Sequence, residues 1–177
     1  MAQSPQLKQS SPTSPDPQDF RLDATPAMRA DNVVSGEHWR IGLITDSLVR
    51  FEWSDSGVFE NRPTQTVLNR DFGSPVERRV TERDGRVIID TAALTIVYDQ
   101  QPFSKEGLSV VVKGVADTQF NTWYYGDEPK HNLKGTARTL DEANGEIPLD
   151  DGVISRDGWA VLDDSAANVI VEAHEVN

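Results

Sequence analysis

No cysteine occurs in the 177 residues of the chain. Disulfides, thiolate nucleophiles and cysteine-ligated metals are excluded with it, which fits a reducing compartment. There is no run of 18 apolar residues, so the sequence offers no membrane-spanning helix. The opening stretch MAQSPQLKQSSPTSPDPQ lacks the apolar centre of a secretory signal, and a cytoplasmic location is expected. Positive charge is scarce: 17 Lys and Arg stand against 29 Asp and Glu, a net charge of −12. Nucleic acids and anionic membranes are bound by neutralising phosphates with Lys and Arg, so neither is an expected partner. A neutral ligand such as a sugar is compatible with this balance. The three histidines, His38, His131 and His174, stand in no metal-ligand spacing. No G-x-S-x-G elbow and no glycine-rich phosphate loop after a strand is present, and no metal or cofactor is expected.

Residues 1 to 30 hold five of the ten prolines, at 5, 12, 15, 17 and 26, among Ser and Gln. That composition buries too little apolar area to offset chain entropy, and a flexible lead-in is expected there. Residues 31 to 177 form the expected folded domain. Their texture is one of short alternating runs. His38–Thr45 and Leu48–Trp53 flank Asp46-Ser47, and the period of two puts Val49, Phe51 and Trp53 on one face. Pro75–Arg83 and Arg86–Asp90 flank the hairpin dipeptide Asp84-Gly85. Leu94–Tyr98, Leu108–Val112, Phe120–Tyr125, Trp159–Asp163 and Val169–Glu172 complete the strand-like runs. No stretch sustains a helical apolar period. Eight to eleven short strands with polar turns predict an all-β, antiparallel β-sandwich or barrel.

Between the strand ending near Tyr125 and the run at Trp159 lies a long polar loop, Glu128 to Asp157. It is dense in acids and carries Lys134, Arg138 and Arg156. Loops of that length are uncommon in compact domains unless functional or disordered. Glycoside hydrolysis uses two carboxylic groups, so paired acids draw attention. Asp150-Asp151 and Asp163-Asp164 are the pairs here, yet neighbours on a strand face opposite ways. The plainer reading of both is a turn whose carboxylates accept backbone N–H groups. Trp123, Tyr124, Tyr125 and Trp159 read either as a stacking platform for sugar or as core.

Four phrases, in order, carry a resemblance. They are Phe59–Gln65 (FENRPTQ), Trp123–Asp127 (WYYGD), Asn132–Asp141 (NLKGTARTLD) and Ile154–Ser165 (ISRDGWAVLDDS). Together they resemble the N-terminal, galactose mutarotase-like β-sandwich of family 31 glycoside hydrolases, over about residues 33 to 175. The resemblance implies a retaining α-glucosidase-type parent, whose catalytic aspartates lie on a following (β/α)8 barrel. The chain reaches Asn177 before such a barrel could begin, so no catalytic residue can be carried over. A non-catalytic domain is expected, one that packs on the barrel of the parent chain and lends a loop to a pocket for an α-glucoside or oligosaccharide. Asp150 and Asp151, near the middle of the loop from Asp141 to Asp157, and Asp141 at its start, are the candidate substrate-binding residues. Asp157 beside Arg156 reads as a structural ion pair. The alternative is a freestanding carbohydrate-binding or interaction module.

Overall fold

A computed structural model describes residues 24–114, 121–135 and 144–171. Its regular elements are strands, apart from one 3-10 turn at Ala30–Asn32. In chain order the strands are β1 (Val33–Ser35), β2 (Trp39–Leu43), β3 (Val49–Trp53), β4 (Arg79–Arg83), β5 (Arg86–Asp90), β6 (Leu94–Tyr98), β7 (Leu108–Val112) and β8 (Thr122–Tyr124). They make two antiparallel sheets, β1-β2-β3 and β4-β5-β6-β7-β8, in simple meander order. The molecule is an all-β sandwich.

Period-two patterning decides which side chains meet between the sheets. Trp39, Ile41 and Leu43 of β2 face Val87 and Ile89 of β5, Leu94, Ile96 and Tyr98 of β6, and Leu108 and Val110 of β7 in one buried cluster. Each fully buried aliphatic of that set contributes about 1.5–3 kcal/mol. Aromatic rings cross the seam. Trp39 meets Tyr98 edge-on at 5.2 Å, and Phe51 of β3 stacks on Trp123 of β8 at 5.9 Å. Phe103, from the β6–β7 loop, lies within 6.3 Å of the Phe51, Trp53, Tyr98 and Tyr125 rings. Val49, Phe51 and Trp53 thus share the inward face, as their alternation predicts.

The Asp84-Gly85 hairpin is the tightest turn. Both residues take positive φ, 53° and 74°, between the paired Arg83 and Arg86. This is the two-residue mirror-image turn that matches strand twist, and glycine adopts it without a Cβ clash. The β2–β3 connection is longer than the Asp46-Ser47 pair alone: Ile44 and Thr45 both donate backbone N–H groups to Leu48 O.

Two runs that read as strands are not strands. Trp159–Asp163 and the described residues 169–171 run irregularly: Trp159 packs on the core, and the backbone pairing is limited to the Thr64–Val169 bridge and the bond from Ile170 N to Pro63 O. A strand needs a run of pairing partners, and among the described residues this segment finds them only where 168–170 meet Pro63–Gln65. The lead-in to residue 23, residues 115–120, residues 136–143 and the last six residues lie outside the described residues. The lead-in is followed from Ala24 by chain that lies along the body: Thr25 donates to Asn69 and accepts from Arg70 N. Met28 covers Gly42, where a Cβ would stand 2.1 Å from the methionine Cε.

Candidate functional site

Both faces of β2 are covered, and the face away from the aromatic seam is polar. Arg40 of β2 stands directly opposite Glu52 of β3, and Arg50 opposite Gly42. Arg40 grips the Glu52 carboxylate with two bonds, Nε at 2.6 Å and Nη2 at 2.9 Å. Its other donors reach Asn61 Oδ1 (2.7 Å) and Glu60 O (3.1 Å), and its guanidinium lies 4.8 Å from the Phe59 ring centre. Arg50 Nη1 reaches both oxygens of Asp164, at 3.0 and 2.8 Å. Arg50 Nε stands 3.1 Å from Glu52 Oε1 without the alignment of a hydrogen bond. Thr64 Oγ1 donates to the same Asp164 carboxylate. Arg70, only 1% exposed, donates to Glu60 O and Arg62 O, and its Nε has no hydrogen-bond partner.

Three arginines and two carboxylates therefore share one part-buried layer. Burial and the neighbouring Arg50 pull the Arg70 pKa down. For Arg50, burial is outweighed by the bonds to Asp164 and the field of Glu52, and its pKa is held up. The layer clamps two irregular segments, 59–70 and 160–171, onto the back of the small sheet. Glu52 and Asp164 are committed to arginines, so this layer is a scaffold and not an acid–base pair. Glu60, at the surface, takes three bonds from Arg62, which hold its carboxyl at about 2.

The second polar corner is the loop. Residues 131–134 run beside 152–156: Leu133 N donates to Ile154 O, Arg156 N to His131 O, and Asn132 bridges to Ser155. The Asn132 side chain bonds both Gly152 O (2.8 Å) and Gly152 N (2.9 Å). Asp157 is buried and accepts from His131 N (2.9 Å), His131 Nδ1 (2.6 Å) and Ser155 Oγ (3.2 Å). The His131 contacts, side chain first, draw its pKa below the ordinary carboxylate value. The partner of Asp157 is thus His131 and not the adjacent Arg156.

Of the three candidate substrate-binding residues, Asp150 is exposed and Asp151 pairs with Lys134. Asp141 lies outside the described residues. Asp163 takes the turn role, accepting from Ser165 N and Oγ. Asp164 points inward to Arg50. Trp123 is core and Trp159 packs against it, whereas Tyr124 and Tyr125 are exposed at 43% and 40%.

An open cleft of about 390 Å³ lies at one end of the sandwich, lined by His38, Trp39, Trp53, Asp99, Gln100 and Gln101, among others. Sequence reasoning missed it because its walls come from three separate turns. One local signal marks it: Gln100 holds a positive φ of 65°, uncommon for a residue with a Cβ.

Among the described residues no group of three or more His, Asp or Glu is placed to hold a metal ion. Nor is any helix among them long and apolar enough to cross a membrane. No protein-family model matches the chain, and a search of curated proteins finds no match.

Proposed function

We propose that the chain is the non-catalytic N-terminal β-sandwich of a retaining, α-glucosidase-type glycoside hydrolase, resembling those of family 31. In this reading it packs on the parent's catalytic barrel and lends the loop from Asp141 to Asp157 to the sugar pocket. The observation that carries the reading is the apolar surface of residues 149–171. No large apolar side chain in that stretch is fully buried, and Val153 and Ile154 are 69% and 63% exposed. Polar bolts hold this surface in place: Asn132 to Gly152, His131 to Asp157, Arg50 to Asp164. A segment fixed by polar contacts while presenting aliphatics outward suits docking against another body. Three of the four resemblance phrases also meet: Thr64 of the first bonds Asp164 of the last, and Asn132 of the third pairs with Ser155 of the last.

Carboxylates suit sugar hydroxyls, since charge-assisted bonds contribute about 1.5–3 kcal/mol each. The test is Asp150→Ala and Asp151→Ala in the parent enzyme, with Lys134→Ala as control. A pocket role lowers kcat/KM about tenfold or more, equivalent to about 1.4 kcal/mol, with melting temperature intact. Lys134→Ala removes the Lys134–Asp151 ion pair without removing a carboxylate. If it reproduces the Asp151→Ala loss, Asp151 positions the loop and does not touch sugar. Unchanged efficiency in both aspartate variants removes them from the pocket.

The cleft beside Trp53 favours a second reading, a freestanding carbohydrate-binding module. The His38 and Trp53 rings stand 5.9 Å apart there, with Asp99, Gln100 and Gln101 beside them. The readings separate on whether the isolated domain binds oligosaccharide with quenching of tryptophan fluorescence.

A further inference from the structure

Strand β4 is the free edge of the five-stranded sheet, and all five of its residues are exposed. We propose that this edge pairs with β4 of a second copy of the chain, antiparallel and centred on Val80, to make one continuous ten-stranded sheet. The backbone supplies the first reason. In a two-residue hairpin the closing pair, here Arg83 and Arg86, exchanges both hydrogen bonds, and such pairs then alternate along the ladder. Arg83, Thr81 and Arg79 thus spend their N–H and C=O groups on β5. Those of Glu82 and Val80 point outward, as unpaired edge groups do.

The side chains choose the register. A two-fold axis through an antiparallel pair stands perpendicular to the sheet, so the pairing is centred on one residue that faces its own copy. Centring on Arg78, Arg79 or Glu82 sets a charge against itself. Centring on Thr81 sets Arg79 against Arg83 twice. Centring on Val80 opposes no like charges. Arg78 then faces the partner's Glu82, Glu77 faces the partner's Arg83, and Arg79 faces the partner's Thr81. Each opposite-charge pair directly across a ladder contributes about 0.2–1 kcal/mol. Among the described residues Arg78 pairs with no carboxylate: its Nη1 reaches Val76 O at 3.4 Å, and its Nε is buried without a hydrogen-bond partner.

The apolar contact agrees. Val80 pairs with Ile89, which is fully buried, so both lie on the core face of the sheet. Val80 is nonetheless 44% exposed, because the core ends at the edge. A second Val80 beside it extends the apolar layer across the axis. Charges on edge strands ordinarily discourage pairing with arbitrary strands. Here they reject every other symmetric register and leave one. The interface is below the roughly 1,200 Å² of standard complexes, so the dimer is weak and salt-sensitive.

Sedimentation velocity on the full chain tests this, at low salt, from micromolar to sub-millimolar protein. The expected result is a concentration-dependent monomer–dimer equilibrium that weakens with added salt. Arg83→Glu sets a carboxylate opposite Glu77 and abolishes the dimer. Adding Glu77→Arg to that variant restores it. Val80→Pro removes an outward N–H that the sheet does not use, so circular dichroism stays unchanged while association is lost. Should Val80→Pro unfold, Arg83→Glu carries the test alone, since its side chain is 81% exposed and its loss leaves the fold intact. A wild-type chain that stays monomeric throughout overturns the proposal. So does a dimer that survives Arg83→Glu.

Discussion

Adjacent residues with the same side chain do opposite jobs in this fold, and Asp163 and Asp164 show it best. Asp163 bends back to Ser165 at the surface, and that contact, side chain and backbone, lowers its pKa. Asp164, 13% exposed, meets the Arg50 guanidinium and the Thr64 hydroxyl under the small sheet. Removing one partner of a buried ion pair leaves the other charge uncompensated, at a cost of about 3–5 kcal/mol. Arg50 keeps Glu52 as a neighbour, which puts Asp164→Ala near the lower figure, about 3 kcal/mol. In a chain of this size that is a fall in melting temperature of about 6–12 °C. Asp163→Ala removes a turn bond worth only about 1 kcal/mol. Thermal melts of the two variants check the contrast, and equal losses would refute the inward role of Asp164. The sequence pair reads as a turn, and half of it is one. The other half is illegible because Arg50 is 114 residues away and Thr64 is 100. No local pattern encodes a pairing at that separation. Arg70 is harder still to foresee: it sits in an irregular segment, and its hydrogen-bond acceptors are backbone carbonyls.

At the scale of elements, legibility follows how local the information is. The β4–β5 hairpin is readable because Asp84-Gly85 specifies its own turn and the flanking alternation sets its register. The β2–β3 face is readable for the same reason. The stretch from Trp159 onward is misread because a strand-like composition does not supply a partner edge. The long loop is readable as a loop, but not as a pinned one: Asn132 and Asp157 fasten it through polar atoms of kinds that many residues carry. That fastening is pH-dependent, and the sign follows from the direction of the Asp157 shift. Its folded pKa lies below the ordinary value of about 3.9. The stabilisation is therefore fully present above that value and disappears as pH falls through the folded pKa. Wild type and Asp157→Asn compared by urea midpoint should differ most at neutral pH. The gap should close as pH falls through the ordinary carboxylate value and on through the lowered folded one. A gap that stays constant across that range would show that the carboxylate charge plays no part in holding 131 against 155–157.

The whole molecule is held by its seam. Two sheets of three and five strands share no ladder, so their union depends on side chains, chiefly the aromatic row Trp39–Tyr98, Phe51–Trp123 and Phe103. Phe103 belongs to neither sheet. It comes from the β6–β7 loop and touches rings from both, Phe51 and Trp53 on one side and Tyr98 on the other. Its position makes it a coupling residue between the two layers. Aromatic pairs add about 0.5–1.5 kcal/mol beyond area burial, and truncating a buried Phe to Ala costs about 3–5 kcal/mol. Phe103 is partly buried, which places Phe103→Ala at about 3 kcal/mol. The β2–β3 hairpin cannot stand alone, because so small a sheet lacks independent stability without a packed face. Sheet and seam should therefore melt together. Far-ultraviolet circular dichroism reports the ladders, and near-ultraviolet circular dichroism reports the ring environment. The two signals should change at one temperature in the wild type and again, at a lower one, in Phe103→Ala. If the near-ultraviolet signal were lost first, with the ladders intact, the five-stranded sheet would be a self-sufficient unit and the small sheet a cover docked upon it.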